Sequence, residues 1–264
     1  MQVHHATTVQ DALGAVAEGA TPLAGGTDLM VETNFGHIRP EHIVGLRRID
    51  ELQQWDGHRI GGGVTWRRIE REGPRALAQA ARTVGSPQIR NAGTIGGNLG
   101  TASPAGDGHP FLVAVDAAVE LRSRTGSRMV GWRDFFTGVK ETARTDDELI
   151  VAVHLPEDLP ERQEFAKVGV RKAMVIATVC AVVTRADDGT TTVGLGSVGP
   201  TPMRAERAEE MISSIANPTG SDLAEFSRLV AEEVSPITDH RSTEVYRRHA
   251  AGILARRLLE RCLR

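Results

Sequence analysis

The spacing of hydrophobic positions divides this chain into short elements. From Thr8 to Glu18 the apolar residues Val9, Ala12, Leu13 and Val16 recur at helical intervals. That spacing predicts a helix capped by Thr8, with Asp11 three residues on and Gly19 at its end. Ile43-Val44-Gly45-Leu46 reads as a buried strand. Arg59 to Val64 turns through a triple glycine into a helix that starts at Thr65. Arg75 to Val84 has the alanine-rich look of a helix packed closely on a sheet, stopped by Gly85 and Pro87. Phe111 to Ala118 suits a short buried helix, and Val119 to Ser123 alternates like a strand. Met129, Val130, Trp132, Phe135 and Phe136 read as packing residues. Leu149 to Leu155 is a strand ended by Pro156. Ala177 to Val183 and Thr190 to Gly196 predict a hairpin turned at Asp187-Asp188-Gly189. Two helices follow. Ser221 to Val234 carries Leu223, Phe226, Leu229, Val230 and Val234 on one face. The second, from about Thr243 to Leu263, is striped by Val245, Ile253, Leu254, Leu258 and Leu263, and its arginines read as a solvated face.

These elements group into three units. Residues 1–55 read as a small parallel α/β unit. Residues 56–160 read as a second, α+β unit. Leu155 to Arg162, with Pro156, Pro160 and several charges, reads as a linker into a third α+β unit over 161–264.

Two stretches do not fit a core strand or a helix interior. Thr94 to Asp107 holds Gly96, Gly97, Gly100 and Gly106 among small hydroxyl residues and one amide. Each glycine inside a helix costs about 1 kcal/mol relative to alanine, so a long loop is expected. Chain without Cβ atoms lays its N–H groups directly against a ligand. Pro22 to Glu32 reads as a strand end, a Gly25-Gly26 turn, and a segment opening at Thr27 or Asp28. Amides at such a turn make an anion site; the plain alternative is a tight turn with Thr27 as a helix cap. The triple glycine Gly61-Gly62-Gly63 admits both a ligand contact and a simple strand-to-helix turn. Gly194-Leu195-Gly196-Ser197-Val198-Gly199 spells a dinucleotide fingerprint, but Pro200 and Pro202 follow and forbid the helix the motif requires until around Arg204.

Composition removes several function classes. The net charge of −3 (31 basic against 34 acidic residues) gives no general attraction to nucleic acid or anionic membrane. Cys180 and Cys262 are the two cysteines, too few for an iron–sulfur cluster or a structural zinc. The nine histidines are scattered, and no nucleophile or paired carboxylates stand out. The chemistry is therefore expected from a cofactor. No signal peptide or membrane-spanning run is legible, so a cytoplasmic protein is expected.

The two glycine stretches resemble a known family. Ala24-Gly25-Gly26-Thr27-Asp28, Ile89 to Leu99 and Ala102-Ser103-Pro104-Ala105-Gly106-Asp107 are similar to the FAD-binding medium subunit of the molybdenum hydroxylases, the family of xanthine and carbon monoxide dehydrogenases. The likeness continues through Asp146 to Ile150, Phe165-Ala166-Lys167, Arg171 to Met174, Val198 to Ala205 and Tyr246-Arg247-Arg248. It implies a two-subdomain FAD-binding domain of the vanillyl-alcohol oxidase type with a C-terminal α+β domain. It also implies heterotrimers, in which a large partner carries molybdopterin and a small partner carries [2Fe-2S] clusters. FAD on this chain would receive their electrons and pass them to NAD, oxygen or another acceptor.

By the same resemblance, the segment from Leu23 and Ala24 through Gly25, Gly26, Thr27 and Asp28 to Leu29, with Thr94, Ile95, Gly96, Gly97 and Asn98, would wrap the diphosphate through backbone amides. Asn98 and Thr101 would add side-chain bonds. Asp107 would accept from a sugar hydroxyl on the adenosine side, with a turn-capping Asp as the alternative. Ile150 would lie against the flavin or adenine, or be a plain core residue. Lys167 would stand near the isoalloxazine ring, or be a surface lysine. Val64 and Thr65 lean slightly toward the cofactor. Val175 stands where the family often has an acidic residue, and the chain is rather short for the family. A free-standing flavin reductase or oxidase and a non-catalytic scaffold that has lost its flavin remain as alternatives at this stage.

Overall fold

Three sheets follow one another along the chain in the computed structural model, which describes residues 1–264. The first has the order β1-β3-β2 and is parallel: β1 (Gln2–His5), β2 (Thr21–Leu23) and β3 (His42–Gly45). Helix α1 (Val9–Ala17) links β1 to β2, and the Thr8 hydroxyl caps it by accepting from the Asp11 amide. Helix α2 (Leu29–Asn34) opens directly after the Gly25-Gly26 turn. The α1 stripe of Val9, Ala12, Leu13 and Val16 is buried against Val44 and Leu46.

The second sheet, of order β4-β5-β10-β6-β7, is antiparallel. It is preceded by α3 (Asp50–Gln53) and begins with β4 (Trp55–Asp56) and β5 (Arg59–Gly61). A helical excursion follows: α4 (Trp66–Glu72), α5 (Arg75–Thr83), α6 (Pro87–Ala92), α7 (Ile95–Thr101) and α8 (His109–Ala114). The chain returns through β6 (Ala118–Arg122), β7 (Ser127–Gly131), α9 (Trp132–Phe135), a small hairpin of β8 (Phe136–Gly138) and β9 (Glu141–Thr142), and β10 (Leu149–His154). Leu149 and Val151 of β10 belong to the first core and Val153 to the second, so this strand joins the two.

The third sheet is an antiparallel meander of β11 (Arg162–Val168), β12 (Val179–Arg185), β13 (Thr191–Gly196) and β14 (Met203–Arg204). Strand β12 is buried along its whole length. Val179, Ala181 and Val183 face a core shared with α10 (Glu206–Ser213), α11 (Gly220–Glu233) and α12 (Glu244–Cys262). Cys180 and Val182 face the core of the middle unit. Burial on both faces explains why this strand reads as one apolar run rather than an alternation. Gly252 lets α12 meet α11: a Cβ there would overlap the Ser227 carbonyl oxygen. No helix is long and apolar enough to cross a membrane.

Several expectations change. The stretch beginning at Thr94 is not a loop, because its first half forms α7. Thr94 caps that helix, accepting from the Gly97 amide at 3.0 Å, and Ile95 and Leu99 anchor it in the core. Tertiary anchors thus override the poor propensity of its three glycines. Met129 and Val245 are exposed rather than packed. Small residues, Ala250, Ala251 and Ala255, form much of the buried face of α12 instead. The Gly194 to Gly199 stretch is strand and turn, and the next helix starts at Glu206. Gly194 is needed for packing, since a Cβ would overlap the Pro110 carbonyl oxygen.

Candidate functional site

The two glycine segments meet. Gly25 lies so close to α6 that a Cβ would overlap the Ala92 carbonyl oxygen. The Thr101 hydroxyl donates to Asp28 at 3.1 Å and ties α7 to the first bend. Between them runs a cleft of ≈ 830 Å³ reached by all three sheets, a volume that suits a large organic ligand.

The first bend lines this cleft and leaves its amides without acceptors. The N–H groups of Ala24, Gly25, Gly26, Thr27, Asp28 and Leu29 donate to no acceptor within the chain. Backbone donors are almost always satisfied in folded proteins, by protein, water or ligand. A row of free amides at a turn favours an anion.

The second bend differs from expectation. The Ile95 amide donates to Val64 O, Gly96 to Gly62 O, Gly97 to the Thr94 hydroxyl and Asn98 to Thr94 O. These four amides are used in holding α7 in place, so this bend offers a smooth face and side chains rather than free N–H groups. Ile95 itself is buried in the core and does not line the cleft. The remaining residues expected from the sequence, Leu23 to Leu29, Thr94, Gly96, Gly97, Asn98, Thr101, Asp107, Ile150 and Lys167, all line it.

The glycines of α7 fall into two kinds. Gly96 packs on the chain, where a Cβ would stand 2.6 Å from Gly62 O. At Gly97 a Cβ would crowd the Thr94 hydroxyl that caps α7, at 3.1 Å, whereas Gly100 is open, its nearest neighbour being Ile150 Cδ1 at 3.7 Å.

Lys167 is no surface residue. It is 8% exposed, its Nζ lies 2.6 Å from Asp107 Oδ2, and the Thr83 hydroxyl donates to the same oxygen at 3.0 Å. Burial pushes the Asp107 carboxyl above its ordinary range, opposed by the Lys167 charge and the hydrogen bonds from Lys167 and Thr83. The second carboxylate oxygen, Oδ1, is buried with no partner. The sequence reading set Asp107 and Lys167 at opposite ends of a dinucleotide. Their ion pair puts them together, and an extended dinucleotide has only one end there.

Among the other lining residues, the triple glycine had left a ligand contact open. Gly62 and Gly63 line the cleft, while neighbouring Val64 is core and Thr65 caps α4. Trp66, Val84 to Ser86, Arg144, Glu148 and Met174 to Ile176 are also part of the wall. Val175 packs over Gly169. Beneath the second bend, His109 is fully buried and its Nε2 lies 3.2 Å from Asn98 O. Burial lowers its pKa from 6.5 to about 4, so the ring is neutral near neutrality.

Comparison with known proteins agrees with this geometry. Residues 1–158 match the family described as the FAD binding domain in molybdopterin dehydrogenase, and residues 164–262 match the CO dehydrogenase flavoprotein C-terminal domain. The xanthine dehydrogenase FAD-binding subunit of Escherichia coli O157:H7 is 31% identical, over 97% of this chain and 94% of that protein. The carbon monoxide dehydrogenase medium chain of Afipia carboxidovorans is 31% identical, over 98% of this chain and 95% of its own. A crystal structure of the Cu,Mo-CO dehydrogenase superposes with a TM-score of 0.90 at 30% identity, covering 100% of this chain and 97% of that one. The chain belongs to the FAD-binding medium subunits of the molybdenum hydroxylases, the family of xanthine and carbon monoxide dehydrogenases.

Proposed function

We propose that this chain is the flavin-carrying relay of a cytoplasmic molybdenum hydroxylase. A large molybdopterin subunit oxidises the substrate, a small subunit with [2Fe-2S] clusters conducts the electrons, and this chain delivers them to NAD or oxygen. The fold is read as the vanillyl-alcohol oxidase type, with subdomains at 1–55 and 56–160 and a C-terminal domain at 161–264.

The residues present suit FAD. Its diphosphate is anionic, and the free amides of Ala24 to Leu29 are the complementary donors. The open face of Gly100 leaves room for close approach. The unpartnered Asp107 Oδ1 is an acceptor suited to a ligand hydroxyl or N–H. FAD, when bound, supplies a carrier that takes electrons singly from clusters and releases them in pairs. The chain's own residues bind and orient it. Ala24 to Leu29 hold the diphosphate, and Asn98 and Thr101 offer side-chain bonds. Ile150 supplies an apolar wall, and Lys167 puts a positive charge near the flavin, where reduction adds negative charge. The two cysteines, Cys180 and Cys262, are both buried and far apart in sequence, which favours clusters on another chain.

The observation that carries this reading is the run of unsatisfied amides along the cleft. Titrating the full chain with FAD while following flavin fluorescence tests it. Saturable quenching is expected, with iron- and molybdenum-bearing subunits co-purifying from the source cells. A chain that leaves FAD fluorescence unchanged at any concentration refutes the assignment.

A further inference from the structure

His109 is a polar side chain buried beneath the second bend. Its ring lies 4.8 Å from the Phe136 ring and against Gly106, where a Cβ would overlap it. Nε2 stands 3.2 Å from Asn98 O, and Nδ1 is buried without a partner. Burial keeps the ring neutral near neutrality, against the pull of the Asn98 and Ser103 carbonyls. A neutral imidazole carries one N–H. A carbonyl oxygen can only accept, so that N–H sits on Nε2 and Nδ1 is the bare nitrogen. An apolar ring would fill this space without leaving a nitrogen unsatisfied, so the donor is what the imidazole adds.

The donor acts near the end of α7. Asn98 O also accepts from the Ala102 amide at 3.1 Å, and Ala102 turns the chain with a left-handed φ of 45°. The His109 amide in turn donates to Gly106 O at 3.2 Å. His109 therefore ties together both ends of the stretch from Asn98 to Gly106. Asn98, Ser103, Ala105, Gly106 and neighbouring Asp107 all line the cleft. The Asn98 side chain lies beside Gly108, where a Cβ would stand 3.3 Å from its Oδ1. No hydrogen bond within the chain holds its amide group, so its direction depends on where the Asn98 backbone is pinned.

We propose that His109 is a positioning residue for the cofactor: through Asn98 O it fixes the last turn of α7, and with it the Asn98 side chain in the cleft. This rests on the FAD reading above, and it holds for whichever part of the dinucleotide Asn98 meets.

The test is titration of the full chain with FAD by fluorescence quenching, for wild type, His109→Phe, Asn98→Ala and the double variant. His109→Phe keeps a buried ring but loses the N–H, and the Kd should rise about fivefold, the size of one neutral hydrogen bond. Asn98→Ala should weaken FAD by at least as much. In the Asn98→Ala background, His109→Phe should change nothing further, because no side chain is left to position. A ring that merely fills space would weaken both backgrounds by the same factor. His109→Gln keeps an N–H donor and should bind FAD more tightly than His109→Phe. Thermal melts without flavin show which samples are folded, and His109→Leu, equally without a donor, repeats the cycle should the Phe variant not fold. Equal effects in the two backgrounds, a Gln variant no better than Phe, or a His109→Phe or Asn98→Ala chain that binds like wild type overturns the inference while the FAD assignment stands. If the wild-type chain binds no FAD, the assignment falls and this inference with it.

Discussion

Gly100→Ala separates what the chain needs from what the cofactor needs. A Cβ at Gly100 would meet only Ile150 Cδ1, at 3.7 Å, an ordinary van der Waals contact. Alanine in place of glycine within a helix stabilises it by about 0.5–1 kcal/mol. Gly100 sits near the end of α7, so the lower figure applies. For a chain of this length, that raises the Tm of the flavin-free protein by roughly 1–2 °C. Gly100 also lines the cleft. There the new methyl group intrudes on a tightly apposed ligand, and overpacking of this kind costs about 1–3 kcal/mol. The Kd for FAD should therefore rise by roughly 5- to 150-fold. Gly96→Ala, one turn earlier, gives the opposite pattern in the free protein. Its Cβ would stand 2.6 Å from Gly62 O and 3.0 Å from Gly62 Cα, backbone that cannot swing aside. Tm must fall before any flavin is added. Differential scanning fluorimetry without flavin, paired with FAD titration, measures both effects. A Gly100→Ala protein that binds FAD as tightly as wild type would show that the open face of α7 is not the cofactor face.

Further outcomes follow from the buried charges. Lys167→Met strands Asp107, which is 7% exposed, and such a loss costs about 3–5 kcal/mol. Adding Asp107→Asn should recover most of the lost Tm, and a double variant no more stable than Lys167→Met contradicts the pairing. His109 has its pKa depressed to about 4 from 6.5. The unfolded chain takes up a proton below pH 6.5 and the folded chain does not until about pH 4, so stability falls as pH drops through that window. His109→Phe should flatten urea-melt stability between those values. Glu148 is held at about 2, from 4.5, chiefly by its hydrogen bond from Arg128. Its contribution is complete above pH 4.5 and disappears as pH falls toward 2, so Glu148→Gln should lessen the pH dependence only in that lower range.

Periodicity made much of the scaffold readable. The Thr8-capped helix, the strand from Leu149, the hairpin turned at Asp187-Asp188-Gly189 and the two closing helices are all set by local spacing, caps and turn residues. Those rules act within a few residues, so one sequence displays them. The glycine segments were legible as ligand-binding stretches for a similar reason: their lack of side chains is a local property.

What the glycines do was decided only by the tertiary structure. Ile95 and Leu99 are held in the core and the Gly96 amide by Gly62, a residue far off in sequence, and these anchors turn an unfavourable glycine stretch into a helix. That helix uses up its own amides and leaves the free donors on the first bend. The same long-range assembly brings Lys167 to Asp107 from 60 residues away. Local spacing determines most of the elements, α7 excepted. Which charges are paired, which amides are free and which glycines face open space depend on contacts between distant segments, and no periodicity encodes those.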